Sequence, residues 1–282
     1  MSRPSPKNTD HTRKHPIEWP VIIAIGMVLL SSLIYLPGIY QALGAFAVLI
    51  IYDVCVVAFA LTAAVLAALL WRTFDPGETL SLIWGTIAIG LTAWAIGEII
   101  WSSDQIWGGN SLPYPSAADL LWILGYLPII WALILRYRTL RTGLRNWWQI
   151  VALTGYGLVV ILTMIYIVAP IVTDTDTTRV YEKTVNLLYP VGDLAIAYLS
   201  TALMLVLIGG TLFSSWGLIS FGFVCAAVSD LLYAMTLWQG IYQVSPVEGV
   251  DFVSFVINLL YVAFYAFVAL GLYRQAKILN VI

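Results

Sequence analysis

Residues 97–128 read GEIIWSSDQIWGGNSLPYPSAADLLWILGYLP. An apolar run closes here on Glu98 and Trp101. A turn rich in Gly, Pro and Ser follows, and a second apolar run opens with Asp119 and Trp122. Two long apolar segments joined by a short polar turn form a helical hairpin if both cross a membrane, because a spanning segment must satisfy its own backbone hydrogen bonds. In the turn, Pro113 and Pro115 each fix their own φ and restrict the residue before them. Ser116 is suited to cap the second helix, with Asp119 three residues on closing a capping box.

The same pattern extends in both directions. Of 282 residues, 61% are apolar and 10% charged, against about 25% charged in an ordinary soluble domain. Mean hydropathy is +0.92. Eight apolar segments, near 20–37, 44–71, 80–102, 117–136, 149–170, 184–209, 212–237 and 252–273, can each reach across a hydrocarbon core of about 30 Å. The expectation is an all-α polytopic protein of eight transmembrane helices. A polar tail over 1–18 precedes the membrane domain at 19–275, and a short end over 276–282 follows it. GAFA at 44–47 imitates a signal-peptidase site, but the first run belongs to the repeat described next, so cleavage is not expected. Alternate connectors are basic: the tail with Arg3, Lys7, Arg13 and Lys14, then Arg72, then Arg136, Arg138, Arg141 and Arg145, and finally Arg274 and Lys277. The other connectors carry mostly acids. The positive-inside rule then puts both termini in the cytoplasm of a cell-membrane protein.

The odd segments close alike, on SLIY at Ser32, EIIW at Glu98, TMIY at Thr163 and DLLY at Asp230, at intervals of 66, 65 and 67 residues. The even segments open alike, on DVCV at Asp53, DLLW at Asp119, NLLY at Asn186 and NLLY at Asn258, at intervals of 66, 67 and 72. Eight such tetrapeptides in register imply four sequence-related helical hairpins. Each brings a polar residue and usually an aromatic to the outer half of the membrane. At about 1.5 Å of rise per residue, Asp53, Glu98, Asp193, Asp230 and Asn258 lie roughly 6 to 15 Å below the outer helix ends. Ionisable groups at that depth are costly unless they face a partner, water or protein. They are expected to converge inside the bundle, walled by Trp94, Trp101, Trp107, Trp122, Tyr126, Tyr189, Tyr233 and Tyr261. The competing reading is structural: the polar residues cap helices and bind them to one another, and the rings form interfacial belts. Pro190, one turn before Asp193, is expected to kink its helix.

Several classes are disfavoured. The net charge of −2 gives no basis for nucleic-acid binding. The two cysteines, Cys55 and Cys225, sit in apolar runs and read as buried small hydrophobes. Both histidines, His11 and His15, are in the tail. No zinc spacing, glycine-rich phosphate loop or intramembrane Ser–His pair is visible. Cofactor and metal identity stay open.

The stretch quoted first resembles the multi-pass membrane sensory region that precedes bacterial and archaeal diguanylate cyclase and histidine kinase modules. The likeness rests on Glu98 with Trp101, on Pro113 to Ser116, on Ala118–Asp119, and on Trp122 with Gly125–Tyr126. LLYPVGDL, with Tyr189, Pro190, Gly192 and Asp193, continues it. Asp230, Tyr233 and Asp251 complete it over about residues 80–273. The quoted chain carries no cyclase or kinase module. The resemblance therefore implies a stand-alone homologue, an excised membrane part, or a subunit that signals through a partner. It implies a sensor-like domain. The leading reading of the residues is that a small molecule, ion or lipid enters the outer polar pocket near Glu98, Asp119, Asp193 and Asp230, and that binding is relayed to a cytoplasmic partner or a second copy. Two other readings stay open: a lipid-modifying intramembrane enzyme using the acids as metal ligands or an acid/base pair, and a transporter.

Overall fold

The computed structural model describes residues 18–108, 114–140, 146–239, 244–245 and 249–282. Residues 1–17 of the expected tail, residues 109–113 of the turn, and Arg141 and Arg145 lie outside the described residues. Apart from a short antiparallel pairing of Val244–Ser245 with Gly249–Val250, the described elements are helical. They are α1 (Trp19–Leu33), α2 (Pro37–Leu43), α3 (Ala45–Trp71), α4 (Thr79–Trp107), α5 (Ala117–Thr139), α6 (Trp147–Thr163), α7 (Ala169–Thr173), α8 (Val180–Leu207), α9 (Leu218–Trp238) and α10 (Phe252–Ile278). A π turn, Met164–Val168, fuses α6 to α7, and a second, Phe213–Gly217, leads into α9.

Among the described residues, seven helical segments are long and apolar enough to cross a membrane, or eight if the bent pair α1–α2 counts as one. The first expected span differs from the rest. It is helical for 15 residues, then turns through 86° into α2. Pro37 explains the break. It cannot donate to the preceding turn, and it holds Leu36 in an extended conformation (φ −63°, ψ 132°), so it starts a new helix. The segment LPGIYQ, expected as a connector, is thus largely helical. By contrast, α5 and α8 run unbroken through Pro128 and Pro190.

Six helices close a ring. α3, α4, α5, α8, α9 and α10 pack in that cyclic order, and α10 returns against α3. α1 lies outside against α10 and α3, while α6 lies outside against α8. Close approach within the ring depends on small residues, as expected where helix packing has no solvent to expel. A Cβ on Gly90 of α4 would sit 2.9 Å from the Gly125 carbonyl oxygen of α5. One on Gly222 of α9 would sit 2.8 Å from the Phe264 carbonyl oxygen of α10. Aromatic rings fill the interior. Trp94 meets Tyr126, Phe264 and Phe223 edge-on, with centroids 5.3, 5.5 and 6.3 Å away.

The two ends of the ring differ. The end near the termini is tied by Ser215, which donates to Gln275 Oε1 (2.7 Å), and by Gln149, which donates to the Leu205 carbonyl (2.7 Å). There the buried Arg136 guanidinium lies over the Trp216 ring at 4.7 Å. The opposite end carries residues 114–116 and 174–179 and the Asp251 cap of α10, and beneath it lies the layer described next. Cys55 and Cys225 are free and buried.

Candidate functional site

The layer begins at a helix cap. Ser116 precedes α5 in extended conformation, and its hydroxyl accepts from Ala118 N (3.2 Å). Asp119 Oδ2 accepts from Ser116 N (2.6 Å) and from Ser116 Oγ (2.9 Å), the capping box expected from the spacing. The other oxygen of Asp119 faces α8, where Tyr189 OH donates to it at 2.8 Å. Beside it, Tyr114 donates to Asn186 Oδ1 (2.5 Å). Burial, with help from the Asp119 charge, pushes the Tyr114 phenol above its ordinary range, so it stays a donor.

One turn deeper the layer has two nodes. Glu98, 2% exposed, projects from α4, and its Oε1 accepts three hydrogen bonds. They come from Trp122 Nε1 on α5 (3.0 Å) and from Tyr261 OH (2.5 Å) and Tyr265 OH (2.8 Å) on α10. Indole N–H is a donor only, so this oxygen is the fixed acceptor that joins three helices. The second node is on α8 and α9. Tyr126 OH donates to Asp193 Oδ1 (2.5 Å) and lies between Asp193 and Asp230. Asp230 is half-buried and close enough to Asp193 and Glu98 for their charges to interact. A flanking node holds Asn258, whose Nδ2 donates to Tyr35 OH (3.2 Å), while Tyr52 OH donates to its carbonyl (3.3 Å).

The structure therefore brings Glu98, Asp193 and Asp230 together with Trp122, Tyr126 and Tyr261, and sets Asp119–Tyr189 and Asn258 at the flanks. Trp101 is half-buried beside Trp122, with ring centroids 5.8 Å apart, and Tyr233 is half-buried on α9. Trp107 is not part of the wall: it is 81% exposed. Tyr265 is absent from the repeated tetrapeptides yet fully buried on Glu98. Its signal is its spacing. Asn258, Tyr261 and Tyr265 repeat the spacing of Asp119, Trp122 and Tyr126 and of Asn186, Tyr189 and Asp193. Residues so spaced share one helix face.

Two features set this layer apart from ordinary helix packing. Among the described residues, Asp53, Glu98, Asp193 and Asp230 have no Lys or Arg within 4.0 Å. Furthermore, Asp53 Oδ2 and Asp193 Oδ2 are buried without a hydrogen-bond partner among the described residues. Asp53, on α3, is 4% exposed and lies within charge range of Glu98. Among the described residues, no three acids, cysteines or histidines are grouped so that they could hold a metal ion. The comparisons add no further constraint: no family model, curated protein or solved structure matches this chain.

Proposed function

We propose that this protein is a membrane-embedded, ligand-binding sensory domain, and that the carboxyl–aromatic layer is its site. The observation that carries the reading is the pair of orphaned buried oxygens on Asp53 and Asp193. A buried acceptor left without a donor costs roughly 1–3 kcal/mol. A ligand bearing an ammonium group, or a monovalent cation, would supply the missing partner and the missing positive charge. Beside them, Trp122, Tyr261 and Tyr265 hold the Glu98 carboxyl by their N–H and O–H groups, which keeps a further acid in the layer.

In this reading the basic connectors face the cytoplasm and the layer lies in the outer half of the membrane. Occupancy is relayed along α10, which carries Tyr261 and Tyr265 and continues unbroken to Ile278 at the cytoplasmic end. A cytoplasmic partner or a second copy receives the signal. A ligand moves such an equilibrium only by its differential affinity for the two states. The four-hairpin origin belongs to the same proposal. The matched spacing on α5, α8 and α10 supports it, as does the close backbone approach in both α4–α5 and α9–α10.

The test uses the full chain in detergent, with sodium, choline, tetramethylammonium and putrescine as separate probes and thermal midpoint as the readout. At least one probe is expected to raise the midpoint of the wild type and to leave that of Glu98→Gln/Asp230→Asn unchanged. The variant must elute as a single folded species. An equal shift in the double variant sinks the site assignment. No shift with any probe removes the cationic ligand.

A further inference from the structure

At the end opposite the carboxyl layer, Glu18, Ser214, Arg274, Lys277 and Ile278 line an open groove of about 310 Å³. Its position in the fold gives its depth. Glu18 immediately precedes α1, Ser214 lies in the π turn that leads into α9, and Arg274 to Ile278 form the last turns of α10. Three spans begin or end there, which is the level of lipid headgroups.

The lining has a definite charge pattern. Arg274 and Lys277 are three apart and share a helix face. Lys277 pairs with Glu18 (3.4 Å), and Arg274 has no carboxylate within 4.0 Å among the described residues. The N-terminus of α1, whose partial positive charge favours anions, opens beside them. Toward the membrane interior, Ile22, Ile25, Leu29 and Leu33 form one exposed apolar stripe along α1. A groove with two cations and one carboxylate, at the start of a helix that carries an exposed apolar stripe, matches a molecule with a phosphate, an amine and a hydrocarbon tail.

We propose that this groove is a binding site for an amine-bearing glycerophospholipid. Its phosphodiester lies on Arg274 and Lys277. Its ammonium group takes Glu18, and its acyl chain follows the stripe on α1. Guanidinium and ammonium donors make the stronger, charge-assisted hydrogen bonds to phosphate. Glu18 discriminates: a purely anionic headgroup meets its repulsion, and a free phosphate gains nothing from it or from the stripe. This site is separate from the carboxyl layer and does not depend on it.

Delipidated full-length protein is mixed in detergent with phosphatidylethanolamine, phosphatidylglycerol, phosphatidylcholine or inorganic phosphate, and retained ligand is read by native mass spectrometry. Phosphatidylethanolamine is expected to be retained in preference to the other three. Arg274→Gln/Lys277→Gln should hold it about tenfold more weakly, and Glu18→Gln should shift the preference toward phosphatidylglycerol. Arg138→Gln, an exposed cation at the same end, should leave retention unchanged. The proposal is overturned if the double variant keeps the lipid as the wild type does, or if Arg138→Gln weakens it equally. Equal retention of all three lipids, or of inorganic phosphate, overturns it as well.

Discussion

The helix α4 and the span formed by α6 and α7 are both long and apolar enough to cross a membrane, yet they have opposite places. In their most apolar windows, 61% of α4 is buried within the protein against 11% of the other. The buried helix is the less apolar of the two. In water the order would be reversed. In lipid, apolarity gives a helix no reason to move inward, because the tails outside are as apolar as the neighbours inside. What draws a helix into the ring is what lipid cannot offer: hydrogen-bond partners, close backbone contact and fitted aromatic surface. α4 has all three, in Glu98, Gly90 and Trp94. The outer span has Gln149 at its foot, Tyr156, which donates to the Leu194 carbonyl, and Thr163, Ile167 and Ile171 turned inward, while most of its other side chains are exposed.

The sharpest way to break that contrast is a single methyl group placed at the ring. A Cβ on Gly125 would stand 2.3 Å from Trp94 Cδ1 and 2.4 Å from its Nε1. That indole donates to the Trp122 carbonyl at 2.8 Å, so it cannot move without giving up a bond. Gly125→Ala should cost about 1–3 kcal/mol by overpacking. The readouts are a lowered thermal midpoint in detergent and a shifted tryptophan emission. An unchanged midpoint would show that α4 and α5 do not touch as described.

Next in size is the acceptor that serves three helices. Glu98→Ala strands the donors of Trp122, Tyr261 and Tyr265 and should cost about 1–2 kcal/mol, given the modest worth of interhelical hydrogen bonds in membranes. Glu98→Gln keeps a carbonyl oxygen in place, so it should recover most of that loss. If both variants lose equally, the charge of Glu98 and not its hydrogen bonding holds the node.

How far these features can be read from the sequence depends on their range. Helix ends follow from local chemistry. The capping box of Ser116 and Asp119 is a three-residue relation, and Pro37 marks both the end of the first apolar run and the break after α1. The residue types of the layer are equally legible, because carboxyls at such depth must face inward. Partners are not. Nothing near Glu98 in the chain reveals that Tyr265, 167 residues on, will share its oxygen. The closure of α10 on α3 and the exclusion of α6 from the ring are likewise contacts between distant segments. Apolarity points the wrong way for the second of these.

The outer span offers the matched control for the methyl experiment. A Cβ on Gly155 of α6 meets no atom within 4 Å. Gly155→Ala should therefore raise stability by about 0.5 kcal/mol, through a narrower unfolded ensemble. The same substitution that damages the ring should be mildly favourable here, with the sign of the change in midpoint as the readout.

The smallest effect expected is the most pointed test of the lipid argument. Leu158 is 59% exposed on α6. Within a soluble core, its truncation to alanine would cost about 2–5 kcal/mol. Facing lipid, it gives up contact with acyl chains that flow in to replace it, leaving neither a cavity nor a change of solvent. Leu158→Ala should move the midpoint by no more than a change of about 0.5 kcal/mol. A loss above about 2 kcal/mol would mean that this face is covered by protein, and that the outer span is an interface and not a boundary with lipid.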